Sequence, residues 1–162
     1  MIITPMLPSD WPEVEKIYQD GIDTNQATFE TQTPSWEAWD ARHHDQPRLV
    51  AKDHDGSVQG WAALSPVSKR PVYRGVAEVS IYIDVKLTGQ GLGKKLLTAL
   101  IQRSEEAGIW MLQAVTFPEN KASVRLHESL GFRLVGRREK IAQQHEVWRD
   151  TVMLERRSSH FH

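Results

Sequence analysis

The chain has 162 residues, a formal charge of −1 from 20 basic and 21 acidic side chains, and no cysteine. That length fits one domain with a core of its own, the near-neutral charge supplies no footprint for a nucleic acid or an acidic membrane, and the lack of cysteine removes disulfides, thiolate metal sites and a cysteine nucleophile together. No apolar run approaches the roughly 18 residues of a membrane span, and Met1-Ile2-Ile3-Thr4 lacks the basic and apolar regions of a secretory signal, so a soluble cytoplasmic protein is expected.

In chain order, Ile2-Ile3 reads as a short strand and Ser9 as the cap of a helix carrying Trp11, Val14, Ile17 and Ile22 at helical spacing. A second helix is expected from Thr33-Pro34, because proline suits a first helical turn. Residues 48–52 and 58–64 are strand-like, with Asp55-Gly56 as the turn of a hairpin. The clearest strand is 77–83, whose strict alternation sets Val79, Ile81 and Ile83 on one face and Glu78, Ser80 and Tyr82 on the other. Leu92, Leu96, Leu97, Leu100 and Ile101 then stripe a helix that ends near Ala107-Gly108. A strand at 110–116, a helix at 121–130 and strands at 132–139 and 147–154 close the chain, with a frayed tail after about residue 155. The order is mixed α/β, with hairpins as well as crossovers, in a single domain over residues 1–162.

Between the clearest strand and its helix stands Thr88-Gly89-Gln90-Gly91-Leu92-Gly93-Lys94. Glycines let the backbone come close and take positive φ, while the helix start offers unpaired N–H groups and a positive dipole end, a setting that suits a phosphate. The spacing G-x-G-x-G matches neither a Rossmann turn nor a P-loop. For the glycines alone, a helix that merely begins after a flexible turn is an equal reading.

The strand Glu78-Val79-Ser80-Ile81-Tyr82-Ile83 followed by these glycines resembles the acyl-CoA-binding core of the GNAT N-acetyltransferase superfamily. Ala27-Thr28-Phe29-Glu30, Tyr73-Arg74 and the run from Asn120 through His127 to Phe132 are similar to the branch containing phosphinothricin acetyltransferase and the methionine sulfone and sulfoximine acetyltransferases. The resemblance covers residues 2 to about 154. It implies a mostly antiparallel mixed sheet of about seven strands flanked by about four helices, acetyl-CoA as co-substrate, no metal, and a homodimer. It also implies coenzyme contacts from Ile81, Tyr82, Ile83, Gly89, Gln90, Gly91, Leu92, Gly93, Lys94 and Asn120. The acceptor would meet Phe29, Glu30, Pro71, Val72, Tyr73 and Arg74. Two positions depart from the pattern: Thr88 stands where the family has Arg or Gln, and residues 142–147 replace a segment with glycine and lysine ahead of Trp148.

An alkylamine near pKa 10.4 is protonated at pH 7 and has no lone pair for attack on a thioester, so a base is needed. Glu78 is the candidate, as base or as orienter of a water; its bland alternative is an ion pair with Arg74. His127 is the second, as base, water partner or acid toward the thiolate, or else a histidine hydrogen-bonded between helix and sheet. Backbone N–H groups near Ile81 would meet the developing oxyanion. Arg74 would clamp a carboxylate or else lie on the surface. Phe29 is acceptor wall or core. His43-His44-Asp45 is not expected to bind metal, since adjacent histidines diverge, and Trp36 and Trp39 are expected to pack on the core or a dimer partner. The expected activity is acetylation of the primary amine of a small molecule, an amino acid or analogue, by direct attack in a ternary complex. Acetylation of a protein N-terminus or another amine, which requires an open groove, and an acyl-CoA sensor without turnover are the rivals.

Overall fold

The structure, a computed structural model, describes residues 1–162. Its elements are β1 (Ile2–Pro5), α1 (Trp11–Asp23), α2 (Trp36–Arg42), β2 (Arg48–Lys52), β3 (Val58–Pro66), β4 (Val76–Ile83), α3 (Leu92–Glu106), β5 (Met111–Thr116), α4 (Lys121–Ser129), β6 (Arg133–Gln144) and β7 (Val147–Arg157). The strands form one seven-stranded sheet in the order β1-β2-β3-β4-β5-β7-β6. Every neighbouring pair is antiparallel except β4 and β5, so the mixed α/β sheet expected from the sequence is the one formed.

Alternation along β3 builds two cores, sending Ala62 and Leu64 to one face and Trp61 and Ala63 to the other. On the first face α3 presses Leu96, Leu97, Leu100 and Ile101 onto the sheet beside Val124 and Leu126 of α4. Burying a leucine contributes roughly 1.5–3 kcal/mol against a rotamer cost of about 0.5–1 kcal/mol, so this stripe fixes α3. On the second face Val14 and Ile17 of α1 and Trp39 of α2 close over Trp61. Trp39 is fully buried, within 6 Å of the rings of Trp11, Trp36 and Trp61, which makes the tryptophan pair of α2 core packing.

Local expectations shift at four places. Ser9 does not cap α1: Asp10 is the buried residue there, its carboxylate accepting from Leu7 N at 2.8 Å and pairing with Lys52 Nζ at 3.0 Å. The second helix starts two residues beyond Pro34, capped by Ser35, whose Oγ accepts from Ala38 N at 3.2 Å. Thr33 instead ties the preceding loop to Glu15 and Gln19 of α1. Strand β6 runs on to Gln144, and residues 142–147 form the end of a hairpin that turns through His145 (φ 49°) and Glu146 (φ 68°). The tail does not begin at 155: β7 continues to Arg157, and buried Ser158 donates its N–H to the Trp110 carbonyl at 2.9 Å.

Gly21, inside α1, faces the ring of Tyr82, and a Cβ there would lie 2.6 Å from Tyr82 Cδ1. Tyr82 is held between Trp61 (centroids 5.1 Å apart) and Tyr18 (4.8 Å), so it has nowhere to move. Gly21→Ala gains about 1 kcal/mol of helix propensity and loses about 1–3 kcal/mol to overpacking. The expected outcome is a lower Tm by circular dichroism; a higher Tm would mean that the ring swings aside.

Candidate active site

Strand β4 pairs with β3 along its length, from Ala77↔Pro66 to Ile83↔Gly60, and β5 pairs with β7 from Met111 to Thr116. Between them β4 and β5 share only Val76↔Met111, Ala77↔Leu112 and Glu78↔Gln113. Beyond Glu78 the two central strands part, and a cavity of about 270 Å³ passes through the sheet between residues 79–82 and 114–116. The edge of β4 in this gap carries backbone polar groups with no strand to meet them.

Glu78 stands at the vertex. Its Oε1 accepts from Gln113 Nε2 at 2.7 Å, and Oε2 has no partner in the chain. Arg74 does not pair with it: that guanidinium donates to the Pro71 carbonyl at 3.2 Å and lies 5.4 Å from the Trp110 ring. Glu78 lines both the through-sheet cavity and an adjoining one of about 320 Å³ walled by Phe29, Glu30, Val115, Thr116, Phe117 and Thr151.

His127, on α4, is buried on the other side of the gap, edge-on to Phe132 at 4.9 Å. Its Nδ1 lies 2.8 Å from the Ser123 carbonyl, which can only accept, so Nδ1 carries the proton and Nε2 is the bare nitrogen. Nε2 is buried without a partner in the chain, and burial pushes the imidazole below its ordinary pKa, so the ring is neutral at pH 7. His127 and Glu78 thus line one cavity from the α4 and α2 sides of the sheet.

The glycine turn lies at the start of α3. Gly89 and Gly91 both have φ of +81°, and a Cβ at either position would meet nothing within 4 Å. The N–H groups of Gly89, Gln90 and Gly91 find no acceptor in the chain, and the first turn of α3 adds those of Leu92, Gly93 and Lys94. The Thr88 hydroxyl donates back to the Val85 carbonyl at 3.1 Å. Lys95 Nζ donates to the Met1 carbonyl at 2.6 Å, which leaves Lys94 as the uncommitted cation beside the turn.

The other expected residues divide among the cavity walls, the two cores and the surface, with Ile81, Tyr82, Asn120 and Glu30 lining the through-sheet cavity. Ile81 and Ile83 pack into the first core, while the Tyr82 ring packs into the second, where burial holds its hydroxyl protonated far above the usual range. Asn120 caps α4, its Oδ1 accepting from Ser123 N and its Nδ2 donating to the Gln26 carbonyl, each at 3.2 Å. Phe29 sits edge-on to Phe117 at 4.9 Å in the cavity wall, with Glu30 exposed beside it. Pro71, Val72, Tyr73 and Arg74 form an exposed turn that lines neither cavity; Arg70, not a ligand, covers Tyr73 at 5.5 Å. Gln113 and Ser123 were not singled out by the sequence, although Gln113 interrupts the apolar run from Met111 to Val115 in β5.

The profile described as Acetyltransferase (GNAT) family matches residues 11–132. The L-methionine sulfoximine/L-methionine sulfone acetyltransferase of Pseudomonas paraeruginosa is 33% identical, over 91% of this chain and 88% of that protein. The GNAT superfamily phosphinothricin acetyltransferase from Sinorhizobium meliloti, solved in complex with AcCoA, superposes with a TM-score of 0.86 at 29% identity, over 96% of this chain and 87% of that one. The ribosomal-protein-alanine N-acetyltransferase from Brucella melitensis superposes with a TM-score of 0.88 at 27% identity, over 98% and 100%. With the parted central strands and the bare glycine turn, these matches make the chain a member of the GNAT acetyltransferase family.

Proposed function

We propose that the protein acetylates the primary amine of a small amino acid or amino-acid analogue, of the kind named for the methionine sulfoximine/sulfone and phosphinothricin relatives, in a ternary complex with acetyl-CoA. The observation that carries this reading is Glu78 at the vertex of the parted strands, with Oε2 free and Oε1 held by Gln113. The residues present fit the co-substrate: the acceptor-free N–H groups of Gly89, Gln90 and Gly91 suit a pyrophosphate, and the open edge of β4 suits an amide-bearing arm. Bound there, acetyl-CoA supplies an activated acyl thioester. No residue is required to hold a metal.

Glu78 takes the ammonium proton, directly or through one water, and exposes the nitrogen lone pair. Gln113 keeps the carboxylate in one rotamer, so Oε2 faces the acceptor rather than sampling the cavity. Backbone N–H groups of β4 around Ile81 stabilise charge on the acyl oxygen. His127, neutral with a bare Nε2, acts as an acceptor toward water or thiol rather than as a standing acid.

A small acceptor is favoured over a protein N-terminus by the roof of the cavity. The 25–28 loop is tied down by Asn120 Nδ2 to the Gln26 carbonyl, Gln144 Nε2 to the Thr28 carbonyl at 3.1 Å, and Arg149 Nη1 to the Asn25 carbonyl at 3.0 Å. A peptide would need an open groove there. We also place the protein in the cytoplasm and assign it a homodimeric state, supported by Leu134, Val135, Ile141, Val147 and Trp148, which are exposed along the β6–β7 hairpin. Sedimentation velocity should then give twice the chain mass, and Trp148→Asp should shift it toward the monomer.

Gly91→Phe should weaken acetyl-CoA binding about tenfold to a hundredfold, the loss of one or two charge-assisted hydrogen bonds, while circular dichroism stays unchanged. Unchanged affinity by calorimetry would move the coenzyme elsewhere. Glu78→Gln keeps the size of the side chain and removes its basicity. Its turnover at pH 7, saturated with both substrates, should fall about 10²–10⁴-fold and recover in part at higher pH, with coenzyme affinity intact. A full rate would hand the proton to another group, His127 first.

A further inference from the structure

The acceptor side of the cavity carries an asymmetric set of charges. Glu78 and Glu30 are its carboxylates, and Arg42, the last residue of α2, is the one permanent cation among the residues that line it. Arg42 makes no ion pair and no side-chain hydrogen bond within the chain, unlike Arg48 nearby, which is bound to Asp40 and to the carbonyls of Asp40, His43 and His44. Arg74, whose sequence position invites the same role, is turned onto Trp110 and lines neither cavity.

The backbone under Arg42 is fixed. Ser35 caps the start of α2, Trp39 is buried at its centre, and His43 Nδ1 donates to the Trp39 carbonyl at 2.6 Å. His43 itself is driven toward the neutral form by burial and by Arg48 and Arg42, so it adds no competing charge. The Tyr18 phenol lines the same cavity and lies close enough to feel both the Arg42 and Glu30 charges.

We propose that Arg42 receives the carboxylate of the amino-acid acceptor while Glu78 receives its amine, so that Arg42 sets the preference for amino acids over plain amines. A guanidinium presents paired donors that match a carboxylate in a bidentate fork, and a free one at the mouth of a cavity keeps that capacity for a ligand. The zwitterion is then aligned by its two charges, with the nitrogen at the parted strands. This assignment rests on the amino-acid reading of the acceptor.

The test compares L-methionine sulfone with its decarboxylated amine in wild type, Arg42→Gln, Arg42→Lys and Arg74→Gln, with thiol release as the readout. In wild type the amino acid should be preferred. In Arg42→Gln its KM should rise about tenfold to a hundredfold, the range for a lost charge-assisted pair, while the KM for acetyl-CoA and the rate on the decarboxylated amine stay as they were. Arg42→Lys should restore part of the preference, and Arg74→Gln should keep all of it. Preference surviving in Arg42→Gln, or lost in Arg74→Gln instead, overturns the assignment and leaves the amino-acid reading standing. A wild type that takes both amines equally, or takes only the decarboxylated one, overturns the amino-acid reading and the assignment with it.

Discussion

The three residue pairs that join β4 to β5 are the constraint on which the rest depends. Each central strand is fully committed on its outer side, β4 to β3 and β5 to β7, so the sheet is two antiparallel halves stitched by a short parallel contact. The stitch ends at Glu78↔Gln113, and everything beyond it on the inner edges is backbone without a partner. In most sheets such an opening would cost stability or fill with water. Here it is kept open by packing on both sides, with Tyr82 locked against Trp61 and Tyr18 on one face and His127 against Phe132 on the other.

Because the opening passes through the sheet, the two faces acquire different chemistry. The face of α3 and α4 offers backbone N–H groups at the glycine turn and a neutral imidazole, which suits an anion and a thioester. The face of α1 and α2 offers carboxylates and an arginine, which suits a charged acceptor. In the proposed reaction the two reactants approach from opposite sides and meet where the strands separate, and direct transfer needs no covalent relay through a side chain. The absence of cysteine is consistent with that economy.

What the sequence made legible was local. The alternation of residues 77–83 and the leucine stripe of α3 fix strand, turn and helix without reference to anything distant, and the positive φ of Gly89 and Gly91 is the conformation that glycine was read as permitting. What it left illegible depended on pairings far along the chain. Arg74 was a candidate clamp until Trp110, supplied by the approach to β5, took its guanidinium. Tyr82 shares the polar face with Glu78 in sequence but is drawn into a core by Trp61 and Tyr18, with Gly21 making the room. Arg42 carried no sequence signal at all, since an arginine in the last turn of a helix is ordinary; only the placement of α2 beside the gap gives it a role.

The hairpin end at 142–147 shows how a segment distant in sequence shapes the site from outside it. His145 and Glu146 take the left-handed conformation without glycine, a cost of order 1–3 kcal/mol each that persists only when the surroundings hold them. The surroundings are the residues that roof the cavity: Gln144 reaches the Thr28 carbonyl, His145 lies 3.1 Å from Asn25 Oδ1, and Arg149 bonds Asn25 and Gln144 while sitting over the Phe117 ring at 3.8 Å. The strained turn and the pinned loop thus stabilise each other. Because Thr28 belongs to both the loop and the cavity walls, and Phe29 follows it there, the same contacts that hold the turn also set the width of the cavity. A change of residues at 142–147 is therefore a change in the shape of the cavity, transmitted through the pinned loop, while Glu78 and the glycine turn stand on elements to which this hairpin end makes no hydrogen bond.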